Sequence, residues 1–283
     1  MTDNALPDAL VMTPTDDGLT AVLTGAFSNG PSGMGPEAGK PFGGLLAAHA
    51  TTAMRQGLDI RPPLRSLSVQ YLAAAAYDEP VTWRPRLLRG GRSVAFAAVE
   101  AVQGKRTVLY ATATYGADNA AYPTLSPLVA PPPPVDSLDP ARQVVGDIAP
   151  HFTQHVEYRL ETGPSLGGGN IGKPAIERLW MRTRDGRPLD EARLCYLLDA
   201  LYPPAFTVID QPMGGASVDL RYDILTDPTP EDCPDGWAFF EFRMLDFGSG
   251  WTVDEATVWA AGGTPLALSR QRRKLAPVRP ARG

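Results

Sequence analysis

Phe42-Gly43-Gly44-Leu45-Leu46-Ala47-Ala48-His49-Ala50-Thr51-Thr52-Ala53-Met54-Arg55-Gln56-Gly57 is the stretch on which the fold turns. Two glycines open a helical run that is apolar nearly all round, at Leu45, Leu46, Ala47, Ala48, Ala50, Ala53 and Met54. A helix with a single apolar stripe lies on a surface. One that is apolar on most sides must be buried on more than one of them, as it is when a curved sheet wraps around it. The residues that follow supply such a sheet. Runs near Ser66 to Ala74, Val81 to Leu88, Ser93 to Val102 and Arg106 to Gly116 read as strands, with a hairpin turn at Gly104.

The same plan is then written a second time. A helical run from about Leu189 to Leu201 precedes strands near Ala216 to Leu225, Trp237 to Leu245, Trp251 to Ala260 and Pro265 to Leu275, with a turn at Gly263. One repetition at this period means two fused copies of an α+β module, not a solenoid. We place the first module at residues 1–116, including strands at Leu10 to Met12 and Leu19 to Leu23 and a Gly/Pro-rich loop from Ser28 to Lys40. Residues 117–150, with Pro131 to Pro134, read as an extended tether across the surface. The second module, 151–283, begins with Phe152 to Glu161 and, after the glycine loop Gly167 to Asn170, Ile176 to Thr183. The copies differ in their polar residues, so the chemistry is expected where they differ.

Composition narrows the classes. At 283 residues, 43% hydrophobic and 20% charged, the chain has globular composition. No apolar run approaches the roughly 18 residues that would span a membrane, and MTDNALPDAL lacks a basic segment followed by an apolar one, so we expect a soluble, cytoplasmic protein. The net charge of −5 argues against a nucleic-acid partner. Arg270, Arg272, Arg273, Lys274, Arg279 and Arg282 are nonetheless locally basic, and read as a solvated strand end or as a contact for the phosphates of a nucleotide-bearing substrate. Cys195 and Cys233 are too few for a disulfide framework or a zinc site and read as reduced thiols. No metal or redox cofactor is implied. An antiparallel sheet with open edges commonly pairs with another copy, so a homo-oligomer, dimer or larger, is expected.

Three motifs imitate chemistry. Gly163-Pro164-Ser165-Leu166-Gly167 matches the G-x-S-x-G of serine hydrolases, but no helix follows it and no histidine lies beyond His155. Gly167 to Lys173 fits G-x-x-x-x-G-K, yet Pro174 offers no hydroxyl for magnesium. His151 and His155 have a metal-like spacing without a carboxylate cluster nearby.

At Phe42-Gly43-Gly44 before the apolar helix, at Leu87-Leu88-Arg89-Gly90-Gly91-Arg92-Ser93 between long strands, and at Leu198-Asp199 in the second helical run, the chain resembles the acyl-CoA thioesterase II-like (TesB-like) family over nearly its whole length. That resemblance implies a double hotdog fold: two tandem modules, each a long helix wrapped by an antiparallel sheet, with the two sheets continuous. It implies hydrolysis of an acyl thioester, on coenzyme A or an acyl carrier, in fatty acid metabolism. It also implies an Asp on the second helix, a Thr or Ser at the start of the next strand and a Gln on the last strand. The matching residues are Asp199, Ser217 and Gln271.

The residues have their own physical reading. Asp199 sits among Leu197, Leu198 and Leu201, where a carboxylate needs hydrogen-bond partners to offset its desolvation. As a general base it would deprotonate a water held by Ser217 and Gln271, and partial burial would make it a stronger base. The helix start after Gly43 supplies backbone donors for an oxyanion, and Gly44 is our candidate, facing across from the other module. The bland alternatives are a capping carboxylate for Asp199, an ordinary strand hydroxyl for Ser217 and an exposed amide for Gln271. Aligning the helices sets His49 opposite Asp199, and aligning the turns sets Thr112 opposite Gln271, so one working site per chain is expected. His49 then reads as a pocket-wall or buried, hydrogen-bonded histidine. Tyr202, Phe206, Met213, Trp180 and Trp251 are candidates to line an apolar channel, although aromatics at strand spacing also build cores.

Two other functions compete with hydrolysis. A hotdog hydratase or dehydratase resembles this plan but pairs the helix Asp with a His about five residues on, where this chain has Pro204. A non-catalytic acyl-thioester binding or scaffold protein would keep the fold and pocket, and Ser217 and Gln271 turned away from Asp199 would favour it.

Overall fold

The computed structural model describes residues 6–211 and 213–277. Its first half runs α1 (Leu6–Ala9), β1 (Thr13–Thr15), β2 (Gly18–Val22), α2 (Gly43–Gly57), β3 (Leu64–Tyr71), β4 (Pro80–Arg89), β5 (Val94–Gln103) and β6 (Arg106–Gly116). The second half runs β7 (Val156–Leu160), β8 (Ile176–Thr183), α3 (Glu191–Leu197), β9 (Met213–Ile224), β10 (Ala238–Gly248), β11 (Trp251–Trp259) and β12 (Pro265–Pro277). These strands form one sheet in the order β1-β2-β4-β5-β6-β3-β9-β12-β11-β10-β8-β7. The halves join where β3 and β9 pair antiparallel, from Ser66 opposite Asp223 to Gln70 opposite Asp219.

The apolar helix is buried as its composition demands. Helix α2 packs on β2, β3, β4 and β5 and against α3, and Ala47, Ala48, Ala50, Ala53 and Met54 are wholly buried. Small residues dominate because two helices and a sheet crowd the same space. One continuous core runs through both halves.

The tether between β6 and β7 is strapped down. The Trp180 indole N–H donates to the Pro133 carbonyl (2.9 Å) and that of Trp259 to the Leu128 carbonyl (2.7 Å). Val135 and Leu138 cover a second, smaller apolar cluster of Trp180, Trp237 and Phe239 on the outer face. Trp180 therefore lies outside the wrapped core, and the channel role expected for it is corrected. Trp251 also stands partly exposed, with the Lys274 ammonium over its ring at 4.7 Å.

Three element boundaries differ from expectation. Leu10 to Met12 is not a strand; the helical turn α1 precedes it and pairing starts at Thr13, because Leu6 and Met12 are drawn into the core. Phe152 to Glu161 divides into a 3₁₀ turn, His151–His155, and β7. That turn lays Phe152 on the Phe42 ring at the start of α2, with centroids 3.8 Å apart. Helix α3 is shorter than Leu189 to Leu201. It starts where Asp190 accepts the Arg193 backbone N–H at 2.7 Å, and it ends in a tight turn in which the Asp199 N–H reaches Tyr196 O at 3.3 Å and the Ala200 N–H reaches Leu197 O at 2.9 Å. Among the described residues no helix is long and apolar enough to cross a membrane.

Candidate active site

Two strand phases and two helix ends build the site. Along β12, Ser269, Gln271, Arg273 and Leu275 are buried while Arg270, Arg272 and Lys274 are exposed, as side-chain alternation requires. On β9, Leu220 and Tyr222 face the core, so unbroken alternation would send Ser217 to the outer face. The pairing instead steps from Asp219 opposite Arg272 to Ser217 opposite Arg273, leaving Val218 as an extra residue. This β-bulge re-aims Ser217 toward Gln271. Asp199 lies two residues past the end of α3, in the terminal turn, not on the helix proper.

The expected trio comes together. Asp199 Oδ1 accepts from Gln271 Nε2 at 2.8 Å, and the same Nε2 donates to Ser217 Oγ at 2.7 Å. Asp199 is buried, with 6% of its surface exposed, whereas Ser217 is half-buried and marks the side nearer to solvent. The other half of the molecule closes the opposite side. The Gly44 N–H, in the first turn of α2, lies close enough to the Asp199 carboxylate to help hold its pKa down. A side chain on Gly43 would place its Cβ 2.7 Å from Asp199 Oδ2, so this approach of helix to carboxylate requires glycine. The Tyr71 hydroxyl donates to the Gly43 carbonyl at 3.0 Å, fixing the peptide unit whose nitrogen is that of Gly44.

Arg273 is the residue that sequence reasoning placed wrongly. It belongs to the basic run read as a solvated strand end, yet its guanidinium is buried: Nη2 donates to Asp199 Oδ1 at 3.2 Å and Nη1 to Asp254 Oδ2. Asp254, also buried, accepts from Thr252 Oγ1 at 3.0 Å. The signal was available, because a residue two positions from an inward Gln271 shares its face. Burial pushes the Asp199 carboxyl above the ordinary range, while Arg273, Gln271 and the Gly44 N–H pull it back.

His49 is not part of this cluster. Its Nε2 lies 2.6 Å from the Ala9 carbonyl and its ring stands edge-on to Trp83, at 5.4 Å between centroids. Burial lowers its pKa to about 4, so it is a neutral, buried histidine, and a substrate-binding role finds no support in its contacts. Thr112 faces outward; in the row Ala111–Val69–Leu220–Gln271 across the sheet, Ala111 is the inward residue of β6. Tyr202 is half-buried and its hydroxyl accepts the Ser165 N–H at 3.3 Å, which occupies the G-x-S-x-G loop structurally. His151 and His155 lie against separate carbonyls, of Met34 at 2.9 Å and Ala26 at 3.1 Å.

A buried helix in each half, one continuous sheet and a polar site made at their junction define a double hotdog protein. Within that class the chain belongs to the acyl-CoA thioesterase family: the acyl-CoA thioesterase N-terminal domain matches residues 31–116 and the C-terminal domain residues 128–272. An uncharacterized protein of Mycobacterium tuberculosis is 26% identical over 259 residues, covering 82% of this chain and 84% of its own. Among solved structures, a hot dog fold protein of unknown function from Alicyclobacillus acidocaldarius superposes with a TM-score of 0.83 at 22% identity, covering 96% of this chain and 98% of its own. An acyl-CoA thioesterase II, TesB2, from Mycobacterium marinum gives 0.72 at 17% identity, covering 97% and 99%.

Proposed function

We propose that the chain hydrolyses an acyl thioester, carried on coenzyme A or a carrier protein, to the free acid and thiol. The observation that carries this reading is the contact of Asp199, Gln271 and Ser217 beside the Gly44 N–H. A water held by the Ser217 hydroxyl and the Gln271 amide gives its proton to Asp199 as its oxygen attacks the thioester carbon. The carbonyl oxygen becomes an oxyanion and is stabilised by the Gly44 N–H. Collapse of the intermediate breaks the carbon–sulfur bond, and the proton on Asp199 leaves with the thiolate. Water, thioester, acid and thiol then balance, and the carboxylate is regenerated.

The side of Ser217 is our candidate entry for the acyl group, with Phe206 nearby: its ring lies 3.8 Å from where a Gly215 Cβ would stand. The binding-protein alternative would be favoured by Ser217 and Gln271 turning away from Asp199, and their hydrogen bonds count against it. The hydratase alternative still lacks its histidine. We further propose that residues 151–283 form the module bearing the polar residues, 1–116 the module bearing the glycine helix start, and that the protein works in the cytoplasm as a homo-oligomer.

The test is thiol release from acyl-CoAs of graded chain length. Wild-type turnover with a loss of about 10²- to 10⁴-fold in Asp199→Asn is expected. No release from any acyl-CoA or acyl carrier protein would overturn the reading in favour of binding alone.

A further inference from the structure

A buried arginine between two buried carboxylates is more than the hydrolytic trio requires. Asp199 Oδ1 already accepts from Gln271 at 2.8 Å, and Arg273 Nη2 adds a second donor to the same oxygen at 3.2 Å. Both of these donors fall on Oδ1, while Oδ2 faces the space beside Gly43. Arg273 itself has little freedom. Its other terminal nitrogen is held by Asp254 on the neighbouring strand β11, and Asp254 is held by Thr252 of the same strand. All three residues are buried.

We propose that Arg273, held by Asp254, is a positioning residue for the water-activating carboxylate: it fixes Asp199 Oδ1 and favours the charged form, so that Oδ2 is the oxygen that takes the proton from water. The guanidinium does not exchange a proton in this scheme, because arginine stays protonated in proteins. The groups packed around Asp199 leave Arg273 as its positive neighbour. Helix α2 offers Gly43 and the Gly44 N–H, β3 offers Tyr71, β9 offers Ser217 and Tyr222, α3 offers Tyr196, with Cys195 beside Tyr71 and Tyr222, and β12 offers Gln271 and Arg273. Burial holds the hydroxyls of Tyr71, Tyr196 and Tyr222 and the Cys195 thiol in their neutral forms, far above their ordinary ranges. Asp254 lies behind Arg273 and shares its charge.

The role rests on the hydrolytic reading, but one measurement is independent of turnover. The ¹³C carboxyl resonance of Asp199, assigned by its loss in Asp199→Asn, is titrated in wild type, Arg273→Lys, Arg273→Met and Asp254→Asn. In Arg273→Met the midpoint should rise by about one pH unit or more, and the acidic limb of kcat/KM should move with it, the rate recovering as pH increases. Arg273→Lys should fall between the two. Asp254→Asn should move the midpoint the other way, because Arg273 then faces a single anion. Midpoints that do not move, or a kcat/KM lowered equally at every pH, would overturn the role. If Arg273→Met does not fold, the lysine and asparagine variants decide by the same shifts. Absence of thiol release by the wild type would sink the hydrolytic reading alone, while the titration still judges Arg273.

Discussion

Asp199 stands where two effects oppose a negative charge, burial and the carboxyl-terminal end of α3. Three partners, Gln271, Arg273 and the Gly44 N–H, offset only part of this, and its pKa stays above the ordinary 3.8. A carboxyl that holds its proton more tightly folded than unfolded loses stability as pH rises from its unfolded value toward its folded one, so the penalty is larger at neutral pH than in acid. Asp199→Asn should therefore raise the melting temperature at pH 7 while it removes activity, and the gain over wild type should shrink toward pH 4. Melting curves at the two pH values check this; a variant less stable than wild type at pH 7 would contradict it. Gly43→Ala is the steric counterpart. A methyl group 2.7 Å from Oδ2 must displace the carboxylate or the helix start, and kcat should fall at least about tenfold, since small misplacements of catalytic groups are costly. Asp199, Ser217 and Gln271 were legible in the sequence through family resemblance together with an oddly placed carboxylate. Arg273 was legible only by strand phase, two positions from Gln271, because charge content alone points its stretch to solvent.

Secondary structure was most legible where alternation runs unbroken, as in β11. It failed where a local turn serves packing: the His151–His155 turn that aims Phe152 at Phe42, and the N-terminal segment drawn inward by Leu6 and Met12. The bulge at Val218 lies beyond any reading of β9 alone, since an extra residue is defined only against a partner strand. Helix α3 is short, and its amino-terminal end depends on Asp190, which accepts the Arg193 N–H and pairs with the Arg193 side chain, itself paired with Asp185 at 2.9 Å. Asp190→Ala should lower stability by about 1 kcal/mol. Urea unfolding should show this as a lower midpoint at unchanged slope, and an unchanged midpoint would mean that packing alone holds the helix.

The whole molecule makes one site from two halves: Gly43, Gly44 and Tyr71 come from the first, and Asp199, Ser217, Gln271 and Arg273 from the second. The repeat itself was plain in the sequence, but not which strands would meet at the junction, because nothing in β3 or β9 names its partner. Residues 151–283 produced alone should release no thiol, and co-production with 1–150 should restore turnover; activity from the second half by itself would move the oxyanion donor away from Gly44. The β3–β9 junction also has a consequence for synthesis on the ribosome. Strand β3 emerges early, yet the residues that cover its open edge, Asp219 to Asp223, leave the exit tunnel only after the tether and all of β7, β8 and α3. Throughout that interval the nascent chain displays an unpaired edge flanked by a half-finished core, which makes this stretch of translation the time when chaperone protection matters most.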